Sequence, residues 1–448
     1  MPSIAAMFAA RVPRYTSYPT APHFHDGITA STYREWLAAL PYGAPLSLYL
    51  HVPFCDTLCW FCGCNTTVVN SYSPVAGYLE FMEREINAVA DALKPGHIVT
   101  HIHFGGGSPT LLRRGDLRRL DHVLRGRFAV ADDAEIAIEI DPRGFGADMA
   151  EALRDIGVTR ASIGLQDSDP VVQRAINRIQ PDEVTANTVH LLRGVGISAL
   201  NIDLIYGLPH QTAAGLEKTI ETALTLDPDR LAIFGYAHVP HFKKHQSLIP
   251  EAALPGVEER FVQAEAAQAL LAARGYVPIG IDHFAKPGDA LAAAWAQGRL
   301  ARNFQGYTTD TAPALIGLGA SAIGALPDGY VQNFADVPSW RAALSRGELP
   351  VAKGVALGAE DRMRGALIER LMCDLEADID AIAEAFGFTR SALADSLTAL
   401  EPFLRDGIAT LDGGRLTIPH EWRAATRLIC AAFDSYLEAG MRKHAVAV

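Results

Sequence analysis

Six apolar, β-branched-rich runs recur between Leu46 and His238: LSLYLHV, VTHIHFGGG, AEIAIEID, TRASIGLQD, ALNIDLIYG and RLAIFGYAH. Between them, segments such as YLEFMEREINAVADAL, MAEALRDIG and GLEKTIETALTL repeat apolar residues at helical spacing. Strands alternating with helices, the strands nearly continuous in apolar residues, predict a parallel sheet covered by helices. Six units fall short of the eight that close a barrel. The expected fold is therefore α/β, an incomplete, laterally open (β/α)6 barrel of the TIM-like kind, with a doubly wound sheet as the alternative.

After Pro240 the pattern loosens. GYVPIGIDHFAKP can add another strand, RNFQGYTT (302–309) reads as a loop, and ALIGLGASAIGAL is small and apolar, suited to close packing. From about Val355 a second unit begins. EDRMRGALIERLMCDL, DIDAIAEAFG and RSALADSLTALEPFLRDG are predicted helices. IATLDGGRLTI is a hairpin candidate turning at Asp412-Gly413-Gly414, and EWRAATRLICAAFDSYLEAGMRK a closing helix. The predicted organisation is an N-terminal segment, 1–45, packing near the active site; a catalytic partial barrel with a substrate-side extension, 46–354; and a C-terminal helical domain with a β-hairpin, winged-helix-like, 355–448. No basic recognition helix accompanies that layout, so packing on the main domain is expected rather than DNA reading.

Composition narrows the class. The chain has 448 residues, 49% hydrophobic and 20% charged, with formal net charge -12, the profile of a packed soluble protein. An acidic chain argues against nucleic acid and anionic membrane as partners. No apolar run reaches the ~18 residues of a spanning helix. Arg11 and Arg14 follow the short N-terminal apolar stretch rather than precede it, the reverse of a secretion signal. A reducing, cytoplasmic location is expected.

Each strand run ends in polar, glycine or aromatic residues, where parallel sheets build active sites. The first feeds HVPFCDTLCWFCGCN (51–65), which holds four of the six cysteines. Thiolates this dense repel one another and are usually gathered by a soft metal or cluster. A structural zinc site favours two separated pairs, and no second pair exists. Cys373 and Cys430 sit alone in helical segments and read as buried small hydrophobes. Cys55, Cys59 and Cys62, at C-x3-C-x2-C spacing, suit three corners of a [4Fe-4S] cluster whose fourth iron stays open. Zinc or a redox pair is the competing reading.

That spacing just after a first strand resembles the radical S-adenosylmethionine superfamily. PRYTSYPT, LYLHVPFCDTLCWFCGCN, HFGGGSPT, IEIDPR, SIGLQD, NIDLIYGLP, YAHVP, IDHFAKP and RNFQGYTT together resemble the oxygen-independent coproporphyrinogen III oxidase family over nearly the whole chain. The resemblance implies that Cys55, Cys59 and Cys62 hold the cluster while Cys64, a possible accessory, does not ligate iron. It implies two S-adenosylmethionine molecules as cosubstrates. One, on the open iron, would neighbour Tyr49, Gly106, Glu139 and Ile323. The other would meet Phe61, Gly107, Ser108, Gln166, Arg178, Asp203 and Ala237. Ser108 and Trp60 stand where the family often has Thr and Tyr.

The implied reaction begins with one electron from the reduced cluster, which cleaves the sulfonium to methionine and a 5'-deoxyadenosyl radical. The radical takes a hydrogen from a propionate β-carbon, carbon dioxide leaves, and an electron passes to an acceptor. Two propionates of coproporphyrinogen III become vinyl groups, giving protoporphyrinogen IX for haem or other tetrapyrrole synthesis. The implied partners are this substrate and an unidentified electron donor and acceptor, and the implied state is a monomer. The substrate's four carboxylates call for cationic forks, and Arg11, Arg14 and Arg302, in aromatic-rich motifs, are the candidates. A haem-binding relative that keeps the cluster, and a zinc-stabilised binding protein, are the competing functions.

Overall fold

The computed structural model describes residues 10–437. Six parallel strands, β1 (Pro45–Val52), β2 (Ile98–Gly106), β3 (Ala129–Ile140), β4 (Arg160–Gln166), β5 (Ala199–Tyr206) and β6 (Arg230–Gly235), lie side by side in chain order. A doubly wound sheet reverses its order midway, and this one does not. Beyond β6 the sheet continues antiparallel through β7 (Val277–Ile279) and β8 (His283–Ala285), with β8 next to β6. On the other side, β9 (Ala314–Leu318) pairs parallel with β1, followed by antiparallel β10 (Ile323–Leu326), β11 (Gly329–Asn333) and β12 (Val351–Ala356). Phe234 and His283 from one side of the sheet and Ile323 and Gln332 from the other line the same cavity. The sheet therefore curves round on itself as an open, partial barrel.

Two sequence expectations change. The small-residue stretch around Gly317 is a seventh parallel strand and its antiparallel neighbour. A Cβ on Gly317 would come within 2.7 Å of the Ile323 backbone, so glycine is what lets the two approach. RNFQGYTT is not a loop but a hairpin, Ala301–Asn303 against Gly306–Thr308. Its turn is held by Gln305 N donating to Asn303 Oδ1 (2.9 Å), and Gly306 takes φ +117°, which a side chain would resist.

The strands are less uniformly apolar than their runs suggest. Along β3, Ile136, Ile138 and Ile140 are buried, whereas Glu135, Ala137 and Glu139 face the cavity. Period-two alternation thus splits each strand into an outer face for helices and an inner face for chemistry. Helix α1 (Ser73–Ala92) covers the outer face with Val75, Tyr78, Leu79, Met82, Ile86 and Val89, a stripe at helical spacing. Glu85 is the exception on that stripe. It accepts from Gly319 N (2.7 Å), Trp340 Nε1 (2.9 Å) and Asn333 Nδ2 (2.5 Å).

A separate apolar core joins Met363, Leu367, Leu371 and Phe433 to Val12, Tyr15 and Tyr18, so the N-terminal segment packs on the C-terminal region. The hairpin at Gly413-Gly414 forms, and Glu376–Asp378 adds a third strand to it. The long closing helix does not form as expected. A 3-10 turn, His420–Ala425, leads into a short helix, Thr426–Ala431. Beyond it, Asp434 Oδ1 accepts from Tyr436 N (2.9 Å) and Asp434 Oδ2 accepts from the Tyr15 hydroxyl (3.1 Å), a side-chain alternative that ends helix propagation. The remainder of the expected helix lies outside the described residues. Among the described residues, no helix is long and apolar enough to cross a membrane.

Candidate active site

The cysteine loop leaves β1 at Val52 and is gripped from every side. Trp60 N donates to Ile176 O (2.9 Å), Asn177 Nδ2 to Leu58 O (2.8 Å), Gln246 Nε2 to Phe61 O (2.9 Å) and Lys243 Nζ to Cys64 O (2.9 Å). His245 Nε2 meets Cys62 O at 2.8 Å, and His51 Nε2 meets Asn65 O at 2.9 Å. Five of the loop's carbonyls are thereby engaged, and its four thiols line a cavity of about 770 Å³ at the carboxyl ends of the strands.

The thiols differ in surroundings. Cys59 is buried and accepts from two guanidiniums, Arg143 Nη2 at 3.4 Å and Arg178 Nη1 at 3.5 Å. The same two nitrogens hold Asp141 Oδ2, at 2.6 and 3.2 Å. Burial alone would raise the Asp141 carboxyl, but the arginines outweigh it and hold it below the usual range. Burial pushes the Cys55 thiol up to about 11, while the side-chain hydrogen bond from Cys64 lowers Cys62. Among the described residues, no three His, Cys, Asp or Glu side chains are grouped to hold a single metal ion. Cys55, Cys59 and Cys62 all line the one cavity, and three thiols on its wall, with two guanidiniums behind Cys59, fit a [4Fe-4S] cluster.

The second strand end supplies a backbone cradle. Gly107 N donates to Val52 O (2.8 Å) and Ser108 N to Phe54 O (2.7 Å), locking this turn to the base of the cysteine loop. Gly106 has φ +113°, and a Cβ there would meet the His51 ring at 2.6 Å. Glu139 accepts from Gly106 N (3.1 Å) through Oε2 and meets His103 Nε2 (3.2 Å) through Oε1. Although burial opposes it, the His103 bond lowers the Glu139 carboxyl, keeping a negative charge beside the glycine turn. Asp203 accepts from the Ser162 hydroxyl (2.6 Å) and Asn201 Nδ2 (2.8 Å), and burial raises its carboxyl. Arg178 also donates to Gly164 O (2.7 Å), and Gln166 adopts φ +72° at the end of β4.

Of the residues singled out from sequence, Tyr49, Cys55, Cys59, Phe61, Cys62, Cys64, Gly106, Gly107, Glu139, Gln166, Arg178, Asp203 and Ile323 line this one cavity. Ser108 is buried just behind it and Ala237 follows the end of β6; neither is among the lining residues. Arg14 and Arg302 meet elsewhere, at a second cavity, and Arg11 is exposed. Sequence reading missed Arg143, His103, His283 and Tyr307, all of which line the large cavity. Arg143 and His103 stand inside IEIDPR and HIHF, the latter on the inward half of the alternation.

Comparison with known proteins follows the same outline. A family model described as the radical SAM superfamily matches residues 49–223. An oxygen-independent coproporphyrinogen III oxidase of Bradyrhizobium diazoefficiens is 49% identical over 438 residues, covering 98% of this chain and 97% of that one. Its counterpart in Paracoccus denitrificans is 44% identical over 96% of this chain and 95% of its own. The solved structure of coproporphyrinogen III oxidase from Escherichia coli, described as a radical SAM enzyme, superposes with TM-score 0.90 at 37% identity, covering 96% of this chain and 100% of that one.

Proposed function

The chain belongs to the oxygen-independent coproporphyrinogen III oxidase family of the radical SAM superfamily, and on that premise we propose that it converts two propionates of coproporphyrinogen III to vinyl groups, yielding protoporphyrinogen IX for haem synthesis. The observation that carries this reading is the three-thiol loop opening onto the strand-end cavity beside the glycine cradle.

Cys55, Cys59 and Cys62 would hold a [4Fe-4S] cluster. When bound, the cluster and S-adenosylmethionine would supply the one-electron, hydrogen-abstracting chemistry by which a propionate gives up a β-hydrogen atom, carbon dioxide and one further electron, the last to an acceptor, and becomes a vinyl group.

The chain's own residues bind, orient and shield. Arg143 and Arg178 offset negative charge behind Cys59. Gly106, Tyr49, Glu139 and Ile323 would hold one S-adenosylmethionine, with Glu139 suited to its ammonium group. Phe61, Gly107, Gln166, Arg178 and Asp203 would hold a second from the cavity wall, with Ser108 and Ala237 next to that wall rather than in it. The cavity's place inside the curved sheet limits water and stray hydrogen donors around a reactive radical. The enzyme works in the cytoplasm as a monomer with a separate electron donor and acceptor. Its catalytic unit runs from residue 46 through β12, two residues past the expected boundary at 354, and the described parts of the flanking segments, 10–45 and 357–437, pack on one another through Val12, Tyr15 and Tyr18.

Anaerobically reconstituted protein, incubated with reductant, S-adenosylmethionine and coproporphyrinogen III, should form protoporphyrinogen IX, followed by chromatography after oxidation to the porphyrin. Iron-loaded protein that cleaves S-adenosylmethionine yet forms no product would overturn the oxidase reading.

A further inference from the structure

The three thiols assigned to the cluster differ in what donates to them. Cys55 Sγ meets the neutral Thr66 hydroxyl at 3.1 Å, and Cys62 Sγ accepts from the Cys64 backbone N at 3.4 Å. Among the described residues, Cys59 Sγ is the one of the three that accepts from guanidiniums, Arg143 Nη2 at 3.4 Å and Arg178 Nη1 at 3.5 Å. Those two arginines are engaged differently. Arg178 also donates to Gly164 O (2.7 Å) and Gln180 Oε1 (3.1 Å), so it braces β4 as well as the loop. The side-chain donors of Arg143 go to Asp141 and Cys59 and to nothing else among the described residues.

One short turn builds that contact. β3 ends at Ile140, and Asp141 Oδ1 accepts from Arg143 backbone N (3.0 Å), a side-chain turn that fixes where Arg143 leaves the strand. Phe145 N then donates to Pro142 O (3.2 Å), with Gly144 at φ +91°, a left-handed position that glycine takes without strain. The same Asp141 carboxylate takes the Arg143 side chain at Nε (3.0 Å) and Nη2 (2.6 Å), a two-pronged grip that leaves Nη2 against Cys59. Asp141 is itself held from the other side by Arg178, at 3.2 and 3.3 Å. Backbone, fork and anchor are thus all fixed for one guanidinium–sulfur contact.

Hydrogen bonds to the sulfurs and the net charge around an iron-sulfur cluster set its reduction potential. A donor on a ligating sulfur and a fixed positive charge both favour the reduced cluster, the more negative of its two states, and so raise that potential. We infer that Arg143, held by Asp141, sets the potential at which a cluster on Cys55, Cys59 and Cys62 accepts its one electron. The inference rests on the cluster assignment within the oxidase reading above and adds the residue that governs how readily the cluster is reduced. The electron comes from the one-electron donor, or from dithionite in the test below. Arg143 keeps its proton throughout, and no covalent bond forms or breaks at it.

Arg143→Leu removes both charge and donor, whereas Arg143→Lys keeps the charge without the fork. Native protein and both variants, reconstituted anaerobically, are titrated with dithionite, and the reduced cluster is followed by electron paramagnetic resonance. At the native midpoint, Arg143→Leu should show a roughly 10-fold lower ratio of reduced to oxidised cluster, a shift of about 59 mV to more negative potential for one electron. Arg143→Lys should fall between Arg143→Leu and native. Iron and sulfide per chain should match native in both. An unchanged midpoint in fully loaded Arg143→Leu overturns the inference. Loss of the cluster from both variants overturns it too, since Arg143 would then be a clamp on the loop. If Arg143→Leu alone loses its cluster, the Arg143→Lys midpoint decides: a negative shift supports the inference and the native value overturns it. None of these readings needs coproporphyrinogen III. Native protein with a reducible cluster that forms no protoporphyrinogen IX would count against the oxidase reading instead, and the comparison of midpoints would still be decided on its own.

Discussion

The two faces of the same strands obey different rules. On the outer face, Ile136, Ile138 and Ile140 of β3 pack into one apolar cluster with α1 and its neighbours. On the inner face, the residues between them, Glu135 and Glu139, stand with His101, His103, Arg160, Asn201 and Asp203 around a wide cavity. Closed eight-stranded barrels fill their interior with branched apolar side chains. Here the sheet stays open and its interior is given to ligands. Folding free energy is therefore concentrated on alternate residues, and chemistry on the ones between, with little overlap. The most direct consequence is that inner-face substitutions should cost activity without stability, and outer-face substitutions the reverse.

The largest effect expected on this division is at Cys59. Cys59→Ala should lose iron and sulfide after reconstitution and abolish both S-adenosylmethionine cleavage and product formation. Arg143 and Arg178 remain paired to Asp141 in the variant, so the cluster-free variant and cluster-free native protein should melt alike by circular dichroism. A variant that failed to fold would show the loop to be a folding element and break the division at once.

Ile138→Ala tests the other face. Ile138 is fully buried, and removing its side chain should lower unfolding free energy by about 2–5 kcal/mol, read from urea denaturation. The folded variant should keep the native KM for S-adenosylmethionine. Its neighbour Glu139 should behave oppositely. Glu139→Gln removes the charge that faces Gly106 N and His103, and should reduce kcat/KM for S-adenosylmethionine roughly 10- to 100-fold with a denaturation midpoint close to native. Equal stability losses in the two variants would sink the idea that the faces are separable.

That alternation also decides what could be read from the sequence. The six parallel strands and the cysteine loop announce themselves through local signals: apolar runs, helical spacing and C-x3-C-x2-C. Strand-end residues such as Glu139 and Asp203 follow once the strands are placed. The runs look nearly continuous, however, because alanine, serine and glycine on the inner face, as in RASIG and AEIAI, dilute the alternation. The seventh strand stayed hidden because its glycines serve close approach rather than β-propensity. Side chains that grip the loop, Asn177, His245 and Gln246, lie more than a hundred residues from it, and no spacing links them. The same holds for the arginines lining the second cavity, which run from Arg14 to Arg427. Arg14 and Arg302 stood out singly, but only the fold gathers them with Arg260 and Arg423.

One residue crosses the division, and it offers the finest test. Glu85 is an acid on the apolar side, 1% exposed, its carboxyl pushed up to about 7 by burial despite the three donors that favour ionisation. An acid whose folded value lies above its unfolded value of about 4.3 binds its proton more tightly in the native state. Its stabilising contribution is then complete below the unfolded value and is lost as pH rises from there through about 7. The slope cannot exceed about 1.4 kcal/mol per pH unit for a single group. Urea midpoints measured between pH 5 and 8 should therefore fall with rising pH in the native protein and fall less steeply in Glu85→Gln. A native profile that rises across that interval, with the variant unchanged from it, would mean that Gly319 N, Trp340 and Asn333 hold Glu85 ionised and that the outer face tolerates a permanent charge.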